Sequence, residues 1–337
     1  MNRVIYCLLN VFCLVLVSCG ESEDNEVNKT TSKNLDSLLL KSPNDINLLV
    51  KRGNKLFKAY EYDLALNDAA KAFRIDSTNF DARLLYAEVL NNRETRTVAE
   101  IQIAQNHYKW VINKDSKNLR ALVGLAATYN FQQDFENTFK YINTALRIDP
   151  KYRDAYVLKG TTYRQIGNMP LAKSSYETAI QQDPKFFEAY FLLGAIYQAE
   201  ENPVCIEYFA TALQLKPEIL EVKYQLAYSK ERFGNLESAK ELYREMAHDT
   251  VDFYVSRGLF HQGYIKQFVD KNKDIDSAMY FYKSALETEP RYVEAWHNIG
   301  LCHSQKGNKE RALKSFSNAL KYDPEFELSR QAAEQIR

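Results

Sequence analysis

The sequence predicts an all-α solenoid of about eight helix-turn-helix repeats closed by a C-terminal capping helix. Two observations carry that expectation. The first is a ruler. Pro43, Ser77, Ser116, Pro150, Pro184, Pro217, Val251, Pro290 and Pro324 fall where successive second helices should end, at steps of 34, 39, 34, 34, 33, 34, 39 and 34 residues. The second is the set of side chains that recurs within each step. It is plainest in Arg153 to Pro184, where Tyr156, Gly160, Tyr163, Gly167, Ala172, Tyr176 and Ala179 precede the proline. Small residues at 160, 172 and 179 let two antiparallel helices approach closely, and the tyrosine rings fill the space between them. Gly167 permits the turn, and Pro184, with no amide hydrogen to donate, stops the second helix. One such hairpin cannot bury its own apolar face, so neighbours must stack on it.

The N-terminus stands apart from that stack. MNRVIYCLLNVFCLVLVSCG sets one positive charge before an apolar run, Val4 to Val17, and about 14 residues fall short of the roughly 20 that span a bilayer. With Leu16-Val17-Ser18-Cys19 the segment resembles a bacterial lipobox. The resemblance implies a lipoprotein signal peptide over 1–18 and a mature chain that begins at an acylated Cys19. Gly20 does not resemble the aspartate that retains lipoproteins in the inner membrane, so the outer membrane is expected. Residues 19–34 are polar, without apolar periodicity, and read as a flexible tether. Their acidic run, Glu21, Glu23, Asp24 and Glu26, resembles the signal that exports lipoproteins to the cell surface in Bacteroidota. Both the periplasmic and the surface-exposed side stay open.

Residues 35–337 form the stack. Leu38, Leu39 and Leu40 before Pro43 read as a lone half-repeat helix. Repeat 46–79 carries Leu49, Gly53, Leu56, Ala65, Ala69 and Ala72. Repeat 80–118 carries Ala87, Leu90, Ala104 and Tyr108, with five extra residues near Asn91–Ala99. Repeat 119–152 carries Leu122, Leu125, Ala126, Tyr129 and Ala145, with Gln133 in place of the turn glycine. After 153–186 comes 187–219, with Tyr190, Leu193, Gly194, Tyr197, Phe209 and Ala212 and one residue missing at the turn. Repeat 220–253 keeps Leu226, Ala227, Gly234, Ala239 and Tyr243. Repeat 254–292 has a clear second helix in Ala278, Tyr282 and Ala285, five extra residues around Asp270–Asp274, and an open register for its first helix. Repeat 293–326 carries Trp296, Ile299, Gly300, Gly307, Ala312, Phe316 and Ala319. In 325–337, Leu328, Ala332 and Ile336 give one apolar stripe on a polar segment, as a capping helix requires.

The spacing of Tyr156, Gly160, Tyr163, Ala172, Tyr176 and Pro184 matches the signature W-x2-L-G-x2-Y…A-x3-F…P. The chain therefore resembles a tetratricopeptide repeat (TPR) protein from Ile46 onward. That resemblance implies a right-handed superhelix whose first helices line a concave groove.

Lys+Arg and Asp+Glu are equal at 44 each, and no basic stripe offers nucleic acid a footprint. Beyond Cys19 the remaining thiols are Cys205 and Cys302, about three repeats apart, where packed small residues belong. They read as buried and unpaired. Among the five histidines, His107, His248, His261, His297 and His303, none belongs to H-E-x-x-H or to a zinc spacing, and core or half-exposed positions are expected. No nucleophile elbow, phosphate-binding loop or dinucleotide fingerprint occurs. The repeats leave no stretch for a catalytic domain, so a non-enzyme without catalytic residues, metal or cofactor is expected.

In the TPR family, positions two, five, nine and twelve of each first helix face the groove. Carried over, they give Asn54 in the first repeat, Arg120 and Asn130 in the third, and Arg164 in the fourth. The fifth gives Phe191 and Gln198, and the sixth Tyr224 and Tyr228, with Glu221 and Glu231 at the ends of the same set. Aromatics mixed with amides and single charges suit an extended peptide or a partner helix. Val50 stands where carboxylate-clamping TPR domains carry a lysine, which argues against capture of a C-terminal tail. The expected function is a membrane-anchored interaction scaffold. The alternative is a surface glycan-binding or nutrient-uptake accessory, which Trp110 and Trp296 serve poorly because both fall at helix-packing positions.

Overall fold

The computed structural model of the chain describes residues 34–336, so the expected signal 1–18, Cys19 and nearly all of the tether lie outside the described residues. Within them the chain is helical between short turns, with no strand. Residues up to Ile196 form one compact unit and those from Tyr197 a second.

The first unit opens with a short helix, α1 (34–41). Helical hairpins follow: α2 (Ile46–Lys58) with α3 (Tyr62–Ile75), α4 (Phe80–Asn92) with α5 (Val98–Lys114), α6 (Leu119–Phe131) with α7 (Phe135–Ile148), and α8 (Arg153–Ile166) with α9 (Met169–Gln182). Helix α10 (Phe187–Ala199) runs from the first unit into the second. Then come α11 (Cys205–Leu215), α12 (Leu220–Arg232) with α13 (Leu236–Met246), α14 (Asp252–Tyr264), α15 (Ile275–Thr288), α16 (Val293–Gln305) with α17 (Lys309–Tyr322), and α18 (Glu327–Ile336). Within each unit a hairpin packs on the next, and α18 covers α16 and α17 at the end of the stack.

Local chemistry accounts for the helix boundaries. Side chains of Asp45, Asn79, Asn118, Asp134, Asn168 and Asp274 accept an amide from the first turn of the helix that follows, which satisfies a donor the helix cannot pair itself. Gly167, Gly234 and Gly307 turn between paired helices at φ 87°, 86° and 75°. Gln133 holds the same left-handed backbone at φ 60°, as do Tyr60 at 62° and Glu201 at 56°, each against the steric preference of an L-residue.

The turns that close the second helices depend on the residue before the proline. Asp149 and Asp183 accept the amides of Lys151 and Lys185 at 2.8 and 3.0 Å, and Asp323 that of Glu325 at 3.0 Å. Asp76 and Asp115 do the same for Thr78 and Lys117 where no proline follows. The residue four places into the next first helix then donates back to this turn. Tyr156 reaches the Pro150 carbonyl at 2.9 Å, Tyr190 that of Pro184 at 3.2 Å and Trp296 that of Pro290 at 3.0 Å. These rings therefore tie the turn to the helix as well as filling space.

The core follows the small-and-aromatic pattern. Tyr108, Tyr176, Tyr243, Tyr282, Phe209 and Phe316 on second helices are fully buried. A Cβ on Gly160 would lie 2.6 Å from the Tyr176 ring, and one on Gly300 2.4 Å from the Phe316 ring. The same contact resolves the irregular seventh repeat, because a Cβ on Gly263 would lie 2.8 Å from Tyr282. Gly263 is thus the counterpart of Gly160 and Gly300. The extra length is split: α14 runs on into a π-helical turn, Ile265–Val269, and residues 271–273 lengthen the loop before α15. The π turn carries Gln267 into the core, where it accepts from Tyr282 at 2.8 Å and donates to Gln305 at 3.3 Å. In the second repeat the extra residues extend α5 and its approach. A capping box between Thr97 and Glu100 starts that helix, and Arg93 bridges Asp63 at 3.0 Å and Glu100 at 2.6 Å.

Candidate functional site

Three buried carboxylates of the first unit, Asp68 on a second helix and Glu88 and Asp154 on first helices, are each answered by an arginine. On α3 Asp68 is 4% exposed and receives Arg52 from α2 through two bonds of 2.7 Å, while Arg52 also holds Asp36 at 2.8 Å. On α4 Glu88 is 3% exposed and receives Arg120 from α6 at 3.1 and 2.7 Å. On α8 Asp154 is 4% exposed and pairs with Arg153 at 2.7 Å, whose guanidinium also reaches Asp183 at 2.5 Å and lies 4.0 Å over the Phe186 ring. Such planar pairing offsets the cost of removing a carboxylate from water.

The sequence-derived groove residues take these places. Asn54 on α2 donates to its own helix, to the Val50 carbonyl at 2.9 Å. Arg120 is committed to Glu88. Asn130 on α6 is 5% exposed, and its Oδ1 is buried without a hydrogen-bond partner. Arg164 is half-buried on α8, and Phe191 on α10 is buried. Gln198 donates to Gln225 at 3.0 Å and to Ser229 at 2.9 Å, both on α12.

Tyr224 and Tyr228 come together. Their ring centroids are 6.4 Å apart, and both flank His261 of α14, at 5.7 and 5.9 Å. The His261 ring stacks on Tyr243 at 4.6 Å and 6°, its Nε2 is 3.3 Å from the Tyr224 hydroxyl, and its Nδ1 is 2.8 Å from the Glu231 carboxylate. Tyr264, one turn after His261, lies 6.5 Å from it and stays 37% exposed. Burial pushes the Tyr224 and Tyr243 hydroxyls well above the usual tyrosine range, so both remain donors near neutral pH. Beside this cluster, Tyr254 donates to Glu221 at 3.1 Å, and Arg257 lies 3.7 Å over the Tyr292 ring and 3.2 Å from Glu289. Sequence reasoning placed Tyr224, Tyr228 and Glu231 on one face but gave His261 no part in it. The first helix of the seventh repeat had no fixed register, so nothing set His261 opposite them.

The other buried histidines are structural. His107 lies edge-on to Phe73 at 4.8 Å, 3.2 Å from the Arg83 guanidinium, and burial with that nearby charge lowers its pKa to about 4. His297 meets Ser329 of the capping helix at 2.9 Å, and burial lowers it likewise to about 4. Cys205 and Cys302 are buried free thiols, and burial pushes Cys302 up to about 12. Among the described residues no cluster of His, Cys, Asp and Glu could hold a metal ion, and no helix is long and apolar enough to cross a membrane.

Comparison with known proteins gives the arrangement its context. Residues 293–326 match the family model described as tetratricopeptide repeat, and residues 160–200 match one described as TPR repeat. Tetratricopeptide repeat protein 6 of Homo sapiens is 24% identical over 205 residues, which cover 58% of this chain and 37% of that protein's length. Among solved structures, the C-terminal part of a TPR repeat-containing protein from Cytophaga hutchinsonii superposes with a TM-score of 0.59 at 15% identity, over 75% of this chain and 99% of that one. The APC/C hetero-tetramer Cut9–Hcn1 gives 0.59 at 16% identity, over 91% and 59%. A human IFIT1 dimer with m7Gppp-AAAA gives 0.55 at 18%, over 87% and 77%. At these identities the structural matches speak for the fold alone. Tetratricopeptide repeats are therefore present in this chain, and its fold is that of the TPR-like α-solenoids.

Proposed function

We propose that the protein is an interaction scaffold, held at the outer membrane by lipid on Cys19, which gathers a peptide or partner helix along its concave first-helix groove. TPR repeats are interaction modules, and the observation that carries the finer reading is the aromatic face of α12 and α14. There Tyr224, Tyr228 and Tyr264 keep part of their rings open to solvent around a buried His261–Glu231 pair. Tyrosines offer large contact area at small entropic cost together with a hydroxyl to orient a ligand.

The test joins capture to position. Full-length protein is used to pull down partners from envelope extract, beside the Tyr224→Ala/Tyr228→Ala variant, and both are applied to a glycan array. The scaffold reading expects a discrete protein partner whose recovery falls at least about tenfold in the variant, as loss of two central aromatic contacts entails. Saturable glycan binding that vanishes in the same variant would replace it with the glycan-uptake reading. For the anchor, Cys19→Ser should move the protein from the membrane to the soluble fraction. A variant that stays membrane-bound would contradict lipidation.

A further inference from the structure

Glu231 differs from three buried carboxylates of the first unit. Asp68, Glu88 and Asp154 each receive an arginine at 2.7 Å. The Glu231 side chain is 9% exposed, as shielded as that of His261, and imidazole is its ion-pairing partner. Two arginines of the same helices are engaged elsewhere: Arg232 of α12 binds Glu201 at 2.5 Å, and Arg257 of α14 lies against Glu289. An imidazole is a cation only when protonated, whereas the arginines that answer Asp68, Glu88 and Asp154 are permanent ones, and a carboxylate withdrawn from water is costly to hold without a cation. Around it stand the rings of Tyr224, Tyr228 and Tyr264, all within 6.5 Å of His261, with Tyr264 37% exposed at the edge of the cluster. Electron-rich ring faces beside a carboxylate attract a cation twice over, through the ring quadrupole and through charge.

We infer that Glu231, walled by Tyr224, Tyr228 and Tyr264, is a subsite for one basic side chain, an arginine or lysine of the bound partner. The partner's cation supplies to Glu231 what Arg120 supplies to Glu88 within the first unit. His261 holds the carboxylate in place through Nδ1, the buried Tyr243 hydroxyl faces the same carboxylate, and the incoming group adds to these the charge that neither supplies permanently. The exposed edge of Tyr264 lets the side chain enter while its alkyl stem packs on the ring. This subsite rests on the groove reading above and specifies the chemistry of the partner it selects.

The test uses an immobilised series of short acetylated peptides that are identical except for one central arginine, lysine, glutamine or glutamate. They are presented in several flanking sequences and probed with the full chain. The expected result is a preference for arginine or lysine over glutamine of about tenfold or more, the size of one charge-assisted hydrogen bond. Glu231→Gln keeps an acceptor for His261 and should abolish that preference, bringing the arginine and lysine peptides down to the level of the glutamine peptide. Tyr264→Ala, at a partly exposed ring, should weaken the preference without altering the helical circular dichroism, and it serves if Glu231→Gln does not fold. Equal binding of basic and neutral peptides, or a preference that survives Glu231→Gln, overturns the subsite and leaves the groove reading standing. Binding of no peptide in any flanking sequence overturns both.

Discussion

His297 on α16 lies 5.5 Å from the rings of both Phe316 and Phe326, and its Nδ1 meets the Ser329 hydroxyl on the capping helix. Its folded pKa of about 4 lies below the ordinary value of 6.5. The unfolded chain therefore takes up a proton first as the pH drops. Stability is intact above about pH 6.5 and is lost as the pH falls toward 4. The full loss is on the order of 3 kcal/mol for this residue at one pKa unit per about 1.36 kcal/mol. Urea midpoints at about pH 7 and pH 4.5 should differ less in His297→Asn than in the native chain, and an identical pH response would refute the assignment. At this scale the sequence was partly legible. Cys205, Cys302 and the aromatic core positions could be read from spacing. The aspartates that brace each closing turn, Asp149, Asp183 and Asp323, stood in plain view before each proline and went unused. Their role lies in a hydrogen bond two residues on, which apolar spacing does not reveal. The left-handed backbone at Gln133 followed directly from its place at the turn.

For whole elements, the contact between a first-helix glycine and a second-helix ring sets each hairpin. Gly160→Ala would drive a methyl group to within 2.6 Å of Tyr176, and Gly263→Ala to within 2.8 Å of Tyr282. Each should destabilise the chain by about 1–3 kcal/mol, the ordinary cost of overpacking a core contact. Thermal or urea unfolding checks this, and a neutral Gly263→Ala would remove the register given to the seventh repeat. That register was unreadable in the sequence for a physical reason. Helix α14 runs on through a π turn, which breaks the 3.6-residue period that apolar spacing relies on, and residues 271–273 hide the remaining offset in a loop. For the second repeat, spacing put five extra residues near Asn91–Ala99 without apportioning them between turn and helix, and the structure has there a 17-residue α5 opened by a capping box.

Across the whole molecule, the steps between helix-closing residues were enough to read an all-α repeat fold. They did not mark the division at Ile196 and Tyr197. The fifth repeat keeps its signature residues Tyr190, Gly194 and Tyr197 straight through that point, so composition and spacing are continuous there. The residues proposed for the groove were not legible as partners in the sequence, since Arg120 with Glu88, Gln198 with Gln225 and Tyr224 with His261 meet across neighbouring repeats. Pairing across repeats depends on side-chain reach, which a repeat alignment does not encode. Those contacts tie the first helices of neighbouring repeats to one another. The central claim is that partners are taken by the first-helix face. Its most direct test places a photo-crosslinking amino acid at Tyr228 on α12 or at Tyr280 on α15, a second-helix residue 66% exposed, in living cells. The account predicts a discrete crosslinked partner from position 228 and none from position 280. A partner captured from 280 and absent from 228 would contradict it.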